Sequence, residues 1–165
     1  MKKFKGKAFI FGDDIDIDEI IPPRFLNTYD PTELSRHCLQ DVDPEFTKNV
    51  QRGDMIVAGS NFGSGSGLEQ AVLALTGTGL SCVIARSFGR IFFRNAINAG
   101  FPILQSPEAF ESVNQGDELE VNLQKGIIQN LTKDETYEAA RFPELLETIV
   151  NAGGLIPAIR KGVLT

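Results

Sequence analysis

The sequence predicts a compact α/β fold with a mixed, barrel-like sheet, and three observations lead to that prediction. The chain of 165 residues has the length of one domain, so a single domain over residues 1–165 is expected. Two short apolar runs typical of buried strands, Met55–Ala58 and Cys82–Ala85, enclose a segment with helical periodicity. Segments in which apolar and polar residues alternate lie on both sides of this strand–helix–strand unit and predict further strands.

The first third of the chain is predicted to be largely extended. Residues 7–12 alternate enough to predict a first strand. Residues 13–21 continue the alternation and predict an extended segment with one acidic face, which ends at Pro22. An aspartate followed by a proline predicts a helix over residues 30–39, and a second Asp–Pro pair at 43–44 predicts another helical turn.

The remaining chain is predicted to alternate between helices and strands. Its apolar residues recur with helical spacing in some segments and in alternation, typical of strands, in others. Gly77 and Gly100 follow two of the helical patterns and predict where those helices end. The expected elements are a helix over 69–75, a helix over 87–98 with Ser87 as N-cap, a strand over 101–104, a hairpin of strands 118–123 and 126–131, and a helix over 143–151.

Composition and charge exclude several classes of function. The formal net charge of −6 argues against nucleic-acid binding, which needs a basic face. Cys38 and Cys82 lie far apart in sequence and His37 is the one histidine, so we expect free thiols and no metal or iron–sulfur cluster bound by this chain. No apolar region follows the charged residues 1–5, and no run approaches the ~20 apolar residues of a membrane span. A cytoplasmic protein that does not bind membranes is expected.

The glycine-rich segment at residues 59–67 allows several interpretations. A dinucleotide site would use Gly63, Gly65 and Gly67, with Arg86 beside a 2′-phosphate, but the last glycine of that fingerprint is replaced by Leu68. A phosphate-binding P-loop is disfavoured because no Lys-Ser/Thr pair follows the glycines. A tight turn without any chemistry also fits the spacing.

A further interpretation of this segment involves Ser66. A serine on such a turn presents its hydroxyl beside the N–H groups that open the next helix, where a developing alkoxide would be stabilised. Ser66 could then move a proton next to a carboxylate. The spacing alone does not choose between this interpretation and the others.

Several stretches, in the same order along nearly the whole chain, resemble the small subunits of isopropylmalate isomerase and homoaconitase, which are similar to the swivelling domain of aconitase. Residues 12–22 (GDDIDIDEIIP) resemble the family's GDxIDTDxIIP, and residues 59–71 (GSNFGSGSGLEQA) resemble GxNFGCGSSREHA. Residues 83–95 (VIARSFGRIFFRN) resemble VIAKSFARIF..N, while residues 116–128 and 152–155 match the late hairpin and the final turn.

The resemblance implies a fold, a partner and a reaction. The fold would be a single swivelling-domain-like β/β/α barrel. A large partner subunit would carry a [4Fe–4S] cluster, and this chain would supply Ser66, which matches the family's catalytic serine, as the base. The pair would reversibly dehydrate and isomerise a hydroxy-di- or tricarboxylic acid. A 3-isopropylmalate dehydratase is expected first, with homoaconitase and 2-methylmalate or 2,3-dimethylmalate dehydratase as alternatives. A homo-oligomer of the chain alone stays open.

The resemblance also suggests substrate-binding positions, and the departures from it qualify them. Asn27 and Thr28 match the family's specificity loop, and Gly65 lies beside Ser66. The family's substrate-binding arginine is replaced by Leu68, which cannot pair with a carboxylate. The family histidine is Gln70. The loss at Leu68 keeps open a second class of function, a scaffold or regulatory subunit without catalytic activity.

Three arginines follow at four-residue spacing, at positions 86, 90 and 94, and are expected to share one helix face. A solvated surface or a partner interface is the preferred interpretation of that face. A cationic wall for the substrate is the alternative.

Overall fold

The computed structural model describes residues 3–164, and its strands form one curled, half-barrel sheet. The strands are β1 (Lys3–Phe11), β2 (Met55–Ala58), β3 (Cys82–Ala85), β4 (Ile103–Gln105), β5 (Glu118–Asn122), β6 (Ile127–Asn130) and β7 (Glu135–Glu138). Their order across the sheet is β4-β3-β2-β1-β5-β6-β7. The expected lack of a secretory signal draws partly on Met1 and Lys2, which lie outside the described residues.

Strand β1 joins a parallel half of the sheet to an antiparallel half. Its first part pairs antiparallel with β5, in the register Lys5 to Glu120. Its last part pairs parallel with β2, in the register Ile10 to Val57, and β2, β3 and β4 continue in parallel. Strands β5, β6 and β7 form an antiparallel meander. The predicted α/β, barrel-like fold class is therefore confirmed.

Most helices lie between the parallel strands or at the end of the chain, and one connects β4 to the antiparallel half of the sheet. They are α1 (Ile17–Ile20), a 3-10 helix (Pro23–Phe25), α2 (Pro31–Ser35), α3 (Phe46–Asn49), α4 (Glu69–Gly77), α5 (Arg90–Asn98), α6 (Pro107–Ser112), α7 (Glu144–Ala152) and α8 (Leu155–Arg160). In the described part of the chain, no helix is long and apolar enough to cross a membrane.

Both faces of the parallel strands are buried. Ile56 and Val83 belong to one apolar core, which also contains residues of α4 and α5. Val57 and Ile84 belong to a second core on the opposite face, together with α6 and the antiparallel strands. Burial on both faces explains why β2 and β3 are continuously apolar rather than alternating.

The structure corrects the prediction that residues 13–21 are extended. Asp16 is the N-cap of α1: its Oδ1 accepts a hydrogen bond from the N–H of Asp18 at 2.8 Å. Glu19 Oε1 accepts from the N–H of Asp16 at 3.0 Å, which completes a capping box. Ile17 and Ile20 are then buried on one face, three residues apart. The same alternation of acidic and apolar residues is therefore compatible with a capped helical turn.

The predicted N-cap at Ser87 is also wrong. Helix α5 begins at Arg90, with Gly89 as its N-cap, and the Ser87 hydroxyl instead accepts a hydrogen bond from the N–H of Asn61 at 2.8 Å. The sequence prediction missed α6, α8 and β7. A signal for α6 was present, since the Ser106 hydroxyl caps it by accepting from the N–H of Ala109 at 3.2 Å.

Candidate active site

The segments that follow β1, β2 and β3 meet at one edge of the sheet, because parallel strands place their carboxyl ends together. The segment after β2 is the glycine loop, defined here as residues 59–68. A parallel bridge joins Ser64 of this loop to Asp16, and a second bridge joins Phe62 to Phe88. The loop therefore lies between the start of α1 and the start of α5.

Backbone hydrogen bonds hold the glycine loop on the α1 side. The N–H of Gly63 donates to the carbonyl of Ile15 at 2.7 Å, and the carbonyl of Ser64 accepts from the N–H of Ile17 at 2.9 Å. The Asp13 carboxylate accepts from the N–H of Ser60 at 2.7 Å. The acidic segment that follows β1 is thus part of the scaffold of the loop.

The other side of the loop is held by the segment after β3. The N–H of Phe62 donates to the carbonyl of Ser87 at 3.0 Å, and the carbonyl of Phe62 accepts from the N–H of Gly89 at 2.8 Å. These bonds to both neighbouring segments hold the backbone of residues 59–64, the part of the loop that precedes Ser66.

The glycines at 63, 65 and 67 are required by conformation and by space. All have positive φ, at 82°, 115° and 70°. A Cβ on Gly63 would lie 2.3 Å from Phe92, and a Cβ on Gly67 would lie 2.1 Å from Ile91. These glycines therefore let α5 pack directly against the loop.

Ser66 lies between two of these glycines and is exposed. Among residues 3–164, its hydroxyl makes no hydrogen bond, so its oxygen is available to a substrate. Helix α4 begins three residues later, after Leu68 as N-cap, and Leu68 provides no side-chain cap. The positive end of the α4 dipole therefore faces this side of the loop and favours negative charge there.

The predicted substrate-binding positions lie in two places. Gly65 is in the glycine loop, where a Cβ would lie 3.3 Å from the Asp16 carboxylate. Asn27 is exposed and Thr28 is half-buried, in a loop after the 3-10 helix. The side-chain amide of Gln70 donates to the carbonyl of Thr28 at 2.8 Å. The structure therefore brings the Asn27–Thr28 segment beside the first turn of α4, shortly after Ser66 in sequence.

Apolar and cationic side chains are exposed on the glycine loop and on α5, which packs against it. Leu68 is 38% exposed and Ile91 is 41% exposed. Arg90 and Arg94 are exposed on α5 and make no ion pair within the described residues. Arg86 does not share their helix, contrary to the prediction.

Arg86 ends β3 and pairs with Glu111 of α6, with 2.6 Å between Nη2 and Oε1. The ion pair occupies the Arg86 guanidinium, which the dinucleotide interpretation had assigned to a 2′-phosphate. With the glycine fingerprint also incomplete at Leu68, the structure does not support a dinucleotide site.

The side chains of this chain do not fit an iron–sulfur cluster. Cys38 and Cys82 are free, fully buried and on different elements. Burial raises the pKa of the Cys82 thiol to about 12 and raises that of Cys38 further, which disfavours the thiolate that binds metals. Within residues 3–164, no group of three or more His, Cys, Asp or Glu side chains could hold a metal ion.

We expect Gly89→Ala to destabilise the protein by about 1–3 kcal/mol, the usual range for overpacking. The φ of Gly89 is −60°, so alanine is conformationally acceptable. Its Cβ, however, would lie 2.5 Å from the carbonyl oxygen of Gly63. The free energy of unfolding from urea titrations measures the effect. Gly12→Ala is the control, since a Cβ there meets no atom within 4 Å. Equal stability of the two variants would contradict the close packing of α5 on the loop.

Comparison with known proteins identifies the class to which this fold and loop belong. Residues 3–109 match the family Aconitase C-terminal domain. The 3-isopropylmalate dehydratase small subunit of Caldicellulosiruptor saccharolyticus is 55% identical over 157 residues, which cover 95% of this chain and 91% of that protein. The 2,3-dimethylmalate dehydratase small subunit of Eubacterium barkeri is 51% identical over 154 residues, covering 93% and 94%.

A solved structure agrees with these relatives. The crystal structure of 3-isopropylmalate dehydratase from Methanocaldococcus jannaschii matches with a TM-score of 0.93 and 44% identity, covering 99% of this chain and 96% of that one. The chain therefore belongs to the aconitase C-terminal domain family and, within it, to the dehydratase small subunits. Dehydratases of this kind are hydro-lyases, so the predicted enzyme class is confirmed.

Sequence reasoning missed the connecting roles of Gln70 and Asp13. Gln70 was noted only as a replacement for a histidine, yet it is buried and binds the backbone of a distant loop. Asp13 is one member of an acidic run, and its carboxylate binds the glycine loop at Ser60, next to Asp14, which binds Asn61. For Gln70 a signal was present, since it directly precedes the apolar Ala71 on the helix. For Asp13 there was none, because the local sequence does not distinguish it from Asp14.

Proposed function

We propose that this chain is the small subunit of a 3-isopropylmalate dehydratase and that Ser66 is its catalytic base. The observation that carries the proposal is the exposed hydroxyl of Ser66, two residues after the part of the glycine loop that backbone hydrogen bonds hold on both sides. The names of the relatives support the substrate, which is a hydroxy-dicarboxylate.

The proposed chemistry moves one proton and one hydroxyl. The Ser66 alkoxide takes the proton from the carbon alpha to a carboxylate and becomes a hydroxyl, while hydroxide leaves the adjacent carbon and the double bond forms. Hydroxide then adds to the carbon that lost the proton, and Ser66 gives its proton to the other carbon, which regenerates the alkoxide. The positive end of the α4 dipole and the neighbouring N–H groups would stabilise negative charge on the serine oxygen.

We place the cluster of the proposed enzyme on a large partner subunit, since residues 3–164 contain no group of side chains that could hold a metal ion and both cysteines are buried. When bound there, a [4Fe–4S] cluster with an open iron site supplies a Lewis acid for the leaving hydroxyl. Asn27, Thr28 and Gly65 are the proposed contacts of this chain with the substrate.

We infer that the large subunit covers the face formed by Leu68, Ile91, Arg90 and Arg94. Exposed apolar side chains beside cations without ion pairs suit a partner surface better than water alone. The two buried, free thiols support a reducing compartment, the cytoplasm, as the place of action.

A second substrate is supported by a specific observation. The small subunit from Eubacterium barkeri named for 2,3-dimethylmalate is 51% identical, close to the 55% of a relative named for 3-isopropylmalate. So small a difference in sequence identity does not indicate whether the substrate carries an isopropyl or a methyl substituent. 2,3-Dimethylmalate is therefore the second candidate substrate, ahead of homoaconitate and 2-methylmalate.

Reconstitution tests the proposal. The chain would be mixed with a dehydratase large subunit from the same organism, after anaerobic loading of the cluster, and assembly measured by size-exclusion chromatography. We expect a stable heteromer that interconverts 2- and 3-isopropylmalate, with neither subunit active alone. A heteromer that turns over none of the four candidate acids would contradict the enzymatic proposal and favour the scaffold alternative.

A further inference from the structure

Gln70 connects the loop around Asn27 to the helix that follows the glycine loop. It lies in the first turn of α4, shortly after Ser66, and its side chain is only 4% exposed. Its amide nitrogen donates to the carbonyl of Leu26 at 3.1 Å and to the carbonyl of Thr28 at 2.8 Å. One amide group therefore binds the backbone on both sides of Asn27.

The outer end of the same loop is fixed separately. The ring of Phe25 stacks on His37 with 3.7 Å between centroids, and the Arg24 guanidinium lies 4.7 Å from the centre of the Phe25 ring. Arg24 also binds Asp41 with two hydrogen bonds, at 2.7 and 3.0 Å. The other end is held by the Thr28 hydroxyl, which accepts from the N–H of Asp30 at 3.1 Å, so Gln70 is the hydrogen-bonded link between the middle of the loop and α4.

We propose that Gln70 is a positioning residue that sets the conformation of the Asn27–Thr28 segment relative to Ser66. The inference rests on the proposed function only in assigning that segment to substrate recognition. Loss of both donors leaves two backbone carbonyls without a protein partner near a buried side chain, where water replaces the hydrogen bonds poorly. The Asn27–Thr28 segment then moves away from α4, while the backbone hydrogen bonds that hold residues 59–64 of the glycine loop are kept.

Because Gln70 holds the Asn27–Thr28 segment and not the glycine loop, its loss is predicted to affect substrate binding rather than the chemical step. Within residues 3–164, the side-chain hydrogen bonds of Gln70 go to the carbonyls of residues 26 and 28 and none goes to the glycine loop. A variant without the donors should therefore raise KM and change the preference between isopropylmalate and dimethylmalate. Its kcat should change little. A residue that only stabilised the fold would lower the melting temperature without changing that preference.

Two variants and one control test the proposal. Gln70→Glu keeps the shape but replaces the amide donors by oxygen, and Gln70→Met removes them without adding charge, in case the carboxylate prevents folding. Gln115→Glu is the matched control, because the side-chain oxygen of Gln115 already acts as an acceptor, for the N–H of Ile10 at 2.8 Å. Gln115 is exposed and lies outside the proposed site.

The first measurement is hydrogen–deuterium exchange of the chain by itself, which requires no activity. We expect exchange in residues 24–30 to accelerate by roughly 10-fold in both Gln70 variants, as for loss of one or two hydrogen bonds, and to stay unchanged in Gln115→Glu. Unchanged exchange in residues 24–30 of the Gln70 variants would overturn the inference.

The second measurement is the kinetics of the assembled pair. We expect KM to rise roughly 10-fold while kcat changes by less than about 3-fold, with a shifted preference between the two acids. Faster exchange without any change in KM or preference would overturn the link to recognition. An inactive wild-type pair would refute the proposed function instead, and the exchange experiment would still decide the positioning role.

Discussion

Ser66→Ala is expected to lower kcat of the assembled enzyme by ~10³-fold or more, because it removes the proposed base without altering the loop. The Ser66 hydroxyl makes no hydrogen bond within residues 3–164, so its loss should leave stability and assembly unchanged. Turnover of isopropylmalate by the reconstituted pair measures the effect, with circular dichroism and size-exclusion chromatography as checks.

The control for this prediction is Ser112→Ala, which removes a hydroxyl from α6 on the opposite side of the sheet. It should retain wild-type turnover. If the Ser66 and Ser112 variants were equally active, Ser66 would not be the base, and the scaffold alternative would gain support.

Leu68→Arg is expected to lower KM for a dicarboxylate substrate by roughly 10- to 100-fold, the range of a new charge-assisted hydrogen bond. Leu68 is 38% exposed and lies two residues after Ser66, so a guanidinium there could reach the substrate carboxylate. Steady-state kinetics of the pair on isopropylmalate and dimethylmalate would show which acid gains.

The control is Leu145→Arg, which adds the same charge on α7 at a side chain that is 59% exposed. It should leave KM unchanged. An inactive wild-type pair made active by Leu68→Arg would show that this chain has lost catalysis through the substitution. No change in KM with Leu68→Arg would show that the carboxylate is bound elsewhere.

The elements predicted correctly from sequence are those with strong local signals. The runs Met55–Ala58 and Cys82–Ala85 are apolar at every position, and the structure gives them those bounds. The glycine loop was predictable because positive φ and close packing both demand glycine. The elements missed or wrong have weaker or ambiguous local patterns. Alternating acidic and apolar residues at 13–21 fit both an extended segment and a capped turn, and the capping box at Asp16 decides between them.

The long-range part of the site was not predictable from local pattern. Ser87 has the local character of an N-cap, but its hydroxyl binds Asn61, a contact that depends on how β2 and β3 align. Likewise, Gln70 binds carbonyls more than forty positions earlier in the chain. Ser66 itself was identified by resemblance, since the spacing of the glycines fits several kinds of loop.

The most direct test of the central claim, that this chain supplies the base to a site completed by the large subunit, is a mixing experiment. A limiting amount of cluster-loaded large subunit is added to mixtures of wild-type and Ser66→Ala chains, and turnover is measured against the fraction of variant in the isolated heteromer. Turnover should fall in proportion to the variant incorporated. Turnover that stays constant while the variant is incorporated would show that the base lies on the other subunit.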